Sequence, residues 1–305
     1  MNSKAYPGQE AIIANGWWLA NRWLISRRLS QVGVLGLFLI GPWFGWWFVE
    51  GNLSSSLILG ILPLSDPYVF LQSLATGHWP ETAAITGVLI VVSFYLIVGG
   101  RAYCAWVCPV NLVTDAAFWL RDRLGLGGAS SLSRKTRYWL LGATLLIPVV
   151  SGQIIWELVN PVSMLHRGLI FGFGAAWVVL LAVFIFDLFV TRRGWCSHLC
   201  PMGAFYSLLG THSVIRVRAD NRIACNDCLD CYKVCPEQQI IRPVLKEADK
   251  GTGPVIDSAN CTNCGRCIDV CAPKIFHMGL RFNNKVSVNT NRSDRSNHSS
   301  GVEVL

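Results

Sequence analysis

Charge is scarce in this chain. Only 14% of its 305 residues are Asp, Glu, Lys or Arg, against 52% hydrophobic residues and thirteen Trp, a balance unusual for a domain folded in water. Histidine is scarcer: none of the six lies inside a long apolar run and no C-x-x-C-H motif occurs, which argues against haem. No basic face with interleaved aromatics appears away from the apolar segments, so the net charge of +8 does not point to nucleic acid. Nor is any cysteine left over: all twelve fall into four tight groups.

What the chain has instead is long apolar runs. Residues 32–49, 83–100, 138–155 and 169–190 each hold about eighteen residues or more with almost no charge, the length a helix needs to cross a bilayer. The expectation is four transmembrane helices. Residues 53–75 are also apolar, but Pro63, Asp66 and Pro67 interrupt them, so they read as a non-spanning, re-entrant loop. No small-residue cleavage site follows the first run, which ends in Trp43, Trp46 and Trp47, so the first helix is expected to stay attached.

The 26 lysines and arginines set the orientation. Four precede the first run, six lie between Arg101 and Arg137, and fifteen follow the fourth; the other two loops hold only Arg167. The positive-inside rule puts both termini and the middle loop in the cytoplasm of a multi-pass protein of the bacterial inner membrane. Every cysteine then lies on the reducing side, where structural disulfides are not expected.

The membrane part repeats itself. Arg101-Ala-Tyr-Cys104-x₃-Cys108-Pro109 matches Arg193-Gly-Trp-Cys196-x₃-Cys200-Pro201 at an offset of 92, with Asp66-Pro67 or Asn160-Pro161 upstream. A duplicated two-helix unit is expected to form a four-helix bundle with pseudo-two-fold symmetry. Four regions follow: an interfacial lead-in (1–31), suited to a short helix in the headgroup layer; the membrane domain (32–212); a small cytoplasmic α+β ferredoxin-like domain (213–282); and a polar, disordered tail (283–305). Within the third region, residues 214–218, 240–244 and 275–280 read as short strands.

Cys225, Cys228, Cys231 and Cys235 form a C-x₂-C-x₂-C-x₃-C-P run, and Cys261, Cys264, Cys267 and Cys271 repeat the spacing 36 residues later. In two-cluster ferredoxins each fourth cysteine serves the other motif's cluster. One 4Fe–4S cluster is thus expected on Cys225, Cys228, Cys231 and Cys271, and a second on Cys261, Cys264, Cys267 and Cys235. Zinc sites use paired C-x₂-C units instead. The C-x₃-C-P pairs, Cys104/Cys108 and Cys196/Cys200, put two thiols one helical turn apart. They can bind a metal or further cluster, exchange electrons as dithiols, contact a quinol headgroup or a partner protein, or simply pack; they are the candidate catalytic residues. His78 or His166 could take a proton from quinol but read first as solvated loop histidines, and Asp187 is either a functional intramembrane carboxylate or one snorkelling towards Arg192 or Arg193.

Further wording, including Gly41-Pro-Trp-Phe-Gly45, Gly51-Asn-Leu-Ser-Ser-Ser56, Trp156-Glu-Leu-Val-Asn-Pro161 and Gly194-Trp-Cys-Ser-His-Leu-Cys-Pro201, resembles the NapH family of ferredoxin-type membrane proteins, from about residue 16 to 278. That resemblance implies a quinol dehydrogenase membrane subunit passing electrons from the quinone pool towards periplasmic nitrate reductase, with a periplasmic ferredoxin-type subunit as partner. The cysteine motifs are shared with nitrous oxide reduction regulators and terminal oxidase accessory proteins, so a maturation or regulatory role is the alternative. Because the expected clusters are cytoplasmic and the reductase acts outside, they are not the last step of an outward path.

Overall fold

The computed structural model describes residues 6–126, 132–172, 174 and 176–282. The expected disordered tail lies outside the described residues. Helix α1 (Gln9–Asn15) in the lead-in is tied to the cysteine-rich C-terminal region: the Gly8 N–H donates to Asp230 (2.9 Å) and the Asn15 amide to the Ala272 carbonyl (3.1 Å). Helix α2 (Arg22–Phe44) starts the same way, with the Asp269 carboxylate accepting the Trp23 and Leu24 N–H groups at 3.2 and 3.0 Å. A carboxylate at a helix N-terminus satisfies orphan donors and opposes the positive dipole end. Here it comes from the other end of the chain.

Residues 53–75, expected as a non-spanning loop, are built of strands and a helix. Strands β1 (Val49–Gly51), β2 (Ser55–Ile58) and β3 (Leu62–Ser65) form an antiparallel meander, with Val49 opposite Ile58 and Ser55 opposite Ser65. Helix α3 (Pro67–Ala75) follows, its cap Asp66 accepting the Tyr68 and Val69 N–H groups at 2.8 and 3.1 Å. Both prolines that forbid a continuous span are legal here: Pro63 sits in an edge strand and Pro67 at the first helical position.

Helices α4 (Thr82–Val98), α5 (Ala102–Trp106) and α6 (Val110–Arg123) precede α7 (Thr136–Ser151), α8 (Ile155–Val159), α9 (Pro161–Phe171) and α10 (Ala176–Phe189). A π-helical turn (Trp195–Leu199) and α11 (Pro201–Leu209) close the membrane-type region. The repeat is therefore larger than two helices. Each unit has a Pro-first capped helix (α3, α9), an apolar helix (α4, α10), a cysteine turn and a further helix (α6, α11). The expected run 169–190 is split at Gly172, whose φ of +92° ends α9 before α10 begins.

Four apolar helices (α2, α4, α7, α10) occupy the expected places, but three are shorter than expected, at 17, 16 and 14 residues. Only α2 is by itself long and apolar enough to cross a membrane, among the described residues. Nor do these four simply line up. α10 packs chiefly on α6 and α9, α7 on α11 and α3, and α4 on β3 and α3. The helix after each cysteine turn thus reaches the other unit's apolar helix, α6 onto α10 and α11 onto α4, which interlocks the halves. Gly87 lets β3 lie directly on α4, since a Cβ there would stand 2.9 Å from the Ser65 nitrogen.

The last region pairs β4 (Ile215–Ala219) with β5 (Phe276–Leu280), Val217 opposite Met278. Short helices α12 (Asp230–Val234), α13 (Ile241–Lys246) and α14 (Arg266–Asp269) complete it. Residues 240–244, expected as a strand, are helical. Ile240, Ile241, Val244 and Leu245 are all buried with Val217 and Phe276, a spacing of three and four that suits one helix face.

Candidate functional site

The two quartet loops share one backbone conformation. Asp227 and Leu229 have φ of +58° and +64°, and 36 residues later Asn263 and Gly265 have +47° and +71°. In both loops the side chain two residues after the first cysteine faces its sulfur: Cys225 Sγ lies 3.7 Å from Asp227 Oδ1, and Cys261 Sγ 3.4 Å from Asn263 Oδ1. Left-handed residues curl each C-x₂-C-x₂-C segment so that its thiols face inward.

Three compact cavities are each lined by four cysteines. One, of about 20 Å³, is walled by Cys235, Cys261, Cys264 and Cys267 with Ile240, Ile241 and Ile256. Another, also about 20 Å³, is walled by Cys225, Cys228, Cys231 and Cys271. Each final cysteine thus joins the other motif's first three. The third, again about 20 Å³, collects Cys104, Cys108, Cys196 and Cys200, with Tyr103, Trp156 and Trp195 around them. All twelve thiols are free. Four thiols around an apolar cavity are the donor set a 4Fe–4S cube takes. Among the described residues no three Cys, His, Asp or Glu side chains are grouped to grip a single metal ion.

The membrane-type pairs repeat in hydrogen bonding as well as in sequence. Cys108 N–H donates to the Tyr103 carbonyl (3.0 Å) and Cys200 N–H to the Trp195 carbonyl (2.9 Å), five residues back in both cases. That π-type closure widens the turn before each proline. Asp187, fully buried, does not snorkel: its Oδ1 accepts the Trp195 N–H at 2.9 Å and so holds the second turn in place. Arg193 is committed to Asp115, and Arg192 stacks on Phe118.

Two carboxylates that no sequence motif marks, Glu237 buried and Asp115 13% exposed at its side chain, lock the cysteine-rich regions together. Glu237, two residues after Cys235, is 1% exposed and pairs with Arg101 (2.8 Å), Arg134 (3.0 Å) and Arg137 (3.2 Å). Burial alone would raise its pKa, but the charge of Arg101 and bonds from Gln239 and Arg101 hold it below the usual carboxylate range. Asp115 takes Arg193 (2.9 Å), Arg27 (3.1 Å) and Arg28. Burial opposes its ionisation, yet the three arginines hold it at about 2. Their signal in the sequence is faint, since nothing local marks a single Glu or Asp as the hub of distant arginines. The two arginines preceding the cysteine turns end up beside Cys235: Arg101 reaches Glu237, and Arg193 donates to the Val234 carbonyl at 2.8 Å.

A larger cavity, about 390 Å³, lies between α2, the meander and α4. Its wall is mostly Val, Leu, Ile and Phe, with Asp66, Tyr95, Tyr103 and Tyr206 as a polar group at one end. Tyr206 donates to Asp66 at 2.9 Å and stacks on Tyr103, their rings 4.8 Å apart. Burial pushes the Asp66 carboxyl up to about 6. Tyr103 also walls the third cysteine cavity, so the two spaces share a side chain. His166 is not a solvated loop residue: it is 5% exposed in α9 with its ring edge-on to Phe38. His78, near Thr76, is exposed.

Comparison with known proteins matches these regions to iron–sulfur families. A family model described as a 4Fe-4S binding domain matches residues 81–127 and again 173–218, and one described as a 4Fe-4S dicluster domain matches 224–275. The chain is 47% identical over 281 residues to the ferredoxin-type protein NapH of Haemophilus influenzae, covering 92% of this chain and 98% of that one. It is 48% identical to NapH of Escherichia coli, over 92% and 97% of the two chains. It is 52% identical to the methylamine utilization ferredoxin-type protein MauN of Methylorubrum extorquens, over 89% and 94%. No solved structure matches.

Proposed function

The chain belongs to the ferredoxin-type family that holds NapH and MauN and is an iron–sulfur electron-transfer protein; from that premise we propose that it is the membrane subunit that oxidises quinol and passes the electrons towards a periplasmic nitrate reductase. In this reading Cys225, Cys228, Cys231 and Cys271 hold one 4Fe–4S cluster, and Cys235, Cys261, Cys264 and Cys267 the other. When bound, the clusters supply one-electron redox chemistry. α2, α4, α7 and α10 lie in the bacterial inner membrane, with both termini and the cluster domain cytoplasmic. Exposed apolar side chains support the membrane reading: Leu89 and Phe94 on α4, Leu146 and Val150 on α7, Val178 and Phe189 on α10. In water such a surface is unfavourable; in lipid it is at home.

The observation that carries the quinol reading is the large apolar cavity with a carboxylate and three tyrosines at one end. An isoprenoid quinol needs an apolar groove for its tail and polar groups for its two hydroxyls. Its oxidation to quinone releases two electrons and two protons. Asp66, held by Tyr206, is placed to accept a proton, and Tyr103 forms the wall towards the cysteines. The carboxylate form prevails above about pH 6, so quinol oxidation is expected to fall as pH drops through that value. Asp66→Asn should abolish this limb and slow quinol oxidation about a hundredfold.

The discriminating measurement is a deletion strain. Loss of nitrate reduction with quinol, but not with an artificial donor to the reductase, supports the assignment; loss with both supports a maturation or regulatory role instead. A second acceptor system has its own support: identity to MauN, 52%, exceeds the 47 and 48% to the two NapH proteins. A deletion strain that respires nitrate normally but fails to grow on methylamine would favour that reading. A periplasmic ferredoxin-type subunit is the expected working partner in the nitrate case.

A further inference from the structure

The C-x₃-C-P turns are matched by two copies of a 4Fe-4S binding domain, yet each matched segment contains only two cysteines. Two thiolates cannot complete a cluster that needs four ligands. We propose that the two copies are halves of one site, and that Cys104, Cys108, Cys196 and Cys200 together ligate a third 4Fe–4S cluster.

The tertiary arrangement supplies what each half lacks. The interlocked packing of α6 on α10 and α11 on α4 brings the two turns to a single cavity walled by all four cysteines. Its volume, about 20 Å³, matches that of each of the two quartet cavities. The thiols are distributed as in those sites, around an apolar pocket and not closed on a point, as zinc would require with ligands at about 2.3 Å. Backbone support matches that in the quartet region too: Gly203 N–H donates to Cys200 Sγ at 3.4 Å, as Ile275 N–H does to Cys271 Sγ at 3.4 Å. Four thiolates with a cube carry net negative charge, and the buried Arg101, three residues before Cys104, supplies a positive charge that favours the thiolate form.

Arg101 also gives the site an electrical neighbour. Its guanidinium donates to the Cys196 carbonyl (3.2 Å) on one side, and to Glu237 (2.8 Å) and the Asn260 carbonyl (3.0 Å) on the other. Glu237 and Asn260 line the cavity of Cys235, Cys261, Cys264 and Cys267. One arginine side chain therefore bridges the third site and that cavity.

The test is iron and acid-labile sulfide stoichiometry on the full chain, purified in detergent without oxygen. About twelve of each per chain is expected, whereas about eight would overturn the proposal. The double variant Cys108→Ser/Cys196→Ser should lose about a third of both, with the remaining clusters retaining their EPR signals. Unchanged stoichiometry in that variant, or zinc bound in place of iron in the wild type, would also overturn it. The wild-type count needs no variant, so a misfolded mutant leaves the test intact.

Discussion

Glu237 is where single-residue energetics are most concentrated. It neutralises Arg101 and Arg137, which are 1% and 0% exposed, from a position beside Cys235. Removing one partner of a buried charge cluster leaves the others desolvated without compensation, at a cost of about 3–5 kcal/mol. Glu237→Gln keeps the shape but loses the charge; it is expected to lower stability by about 3 kcal/mol. Denaturant titration followed by cluster absorbance would measure this, and a shift under 1 kcal/mol would argue against the hub. The cysteines themselves were legible as single residues because metal chemistry demands a fixed local spacing. A hub carboxylate has no such spacing, and its partners lie 100 and 136 residues away.

At the scale of elements, the junction after α4 is the closest glycine approach among the described residues. Gly100 lies against the Tyr206 carbonyl and the Gly210 nitrogen, so a Cβ there would collide with backbone from the other unit. Gly100→Ala should destabilise by about 1–3 kcal/mol. Gly142→Ala in α7, which faces open space, is expected to be neutral or to stabilise by about 0.5–1 kcal/mol. Thermal unfolding of the pair separates close packing from helix propensity; equal shifts would refute the contact. Apolar run length located α2, α4, α7 and α10, since surroundings of protein or lipid demand it. It mistook 53–75 for a loop, because prolines that break a spanning helix are equally at home in an edge strand and at a helix start. It also joined 169 to 190, as one apolar run does not reveal the positive-φ break at Gly172.

For the whole molecule, the cluster domain is not a free appendage. Asp269 caps α2, Asp230 takes the Gly8 N–H, and Asn263 donates to the Val98 and Ile215 carbonyls at 2.7 and 2.8 Å. Small domains built around metal sites fold with their metal. Stripping iron anaerobically with a chelator is therefore expected to release β4 and β5 and also to loosen the start of α2, seen as faster amide exchange at Trp23 and Leu24. Exchange confined to residues 213–282 would show instead that the docking survives without clusters.

By itself the sequence determined the chemistry, because thiolate ligands must recur at short, fixed spacings and lipid-facing helices must be apolar along their length. It also determined that the membrane-type region is duplicated, since the repeated motif is written twice at one offset. Only the tertiary structure decided how the halves meet: which helix crosses to which, that four distant cysteines share a cavity, and that Glu237 and Asp115 gather arginines from separate elements. Those are relations between residues far apart in the chain, set by packing and charge compensation in three dimensions, and no local spacing encodes them.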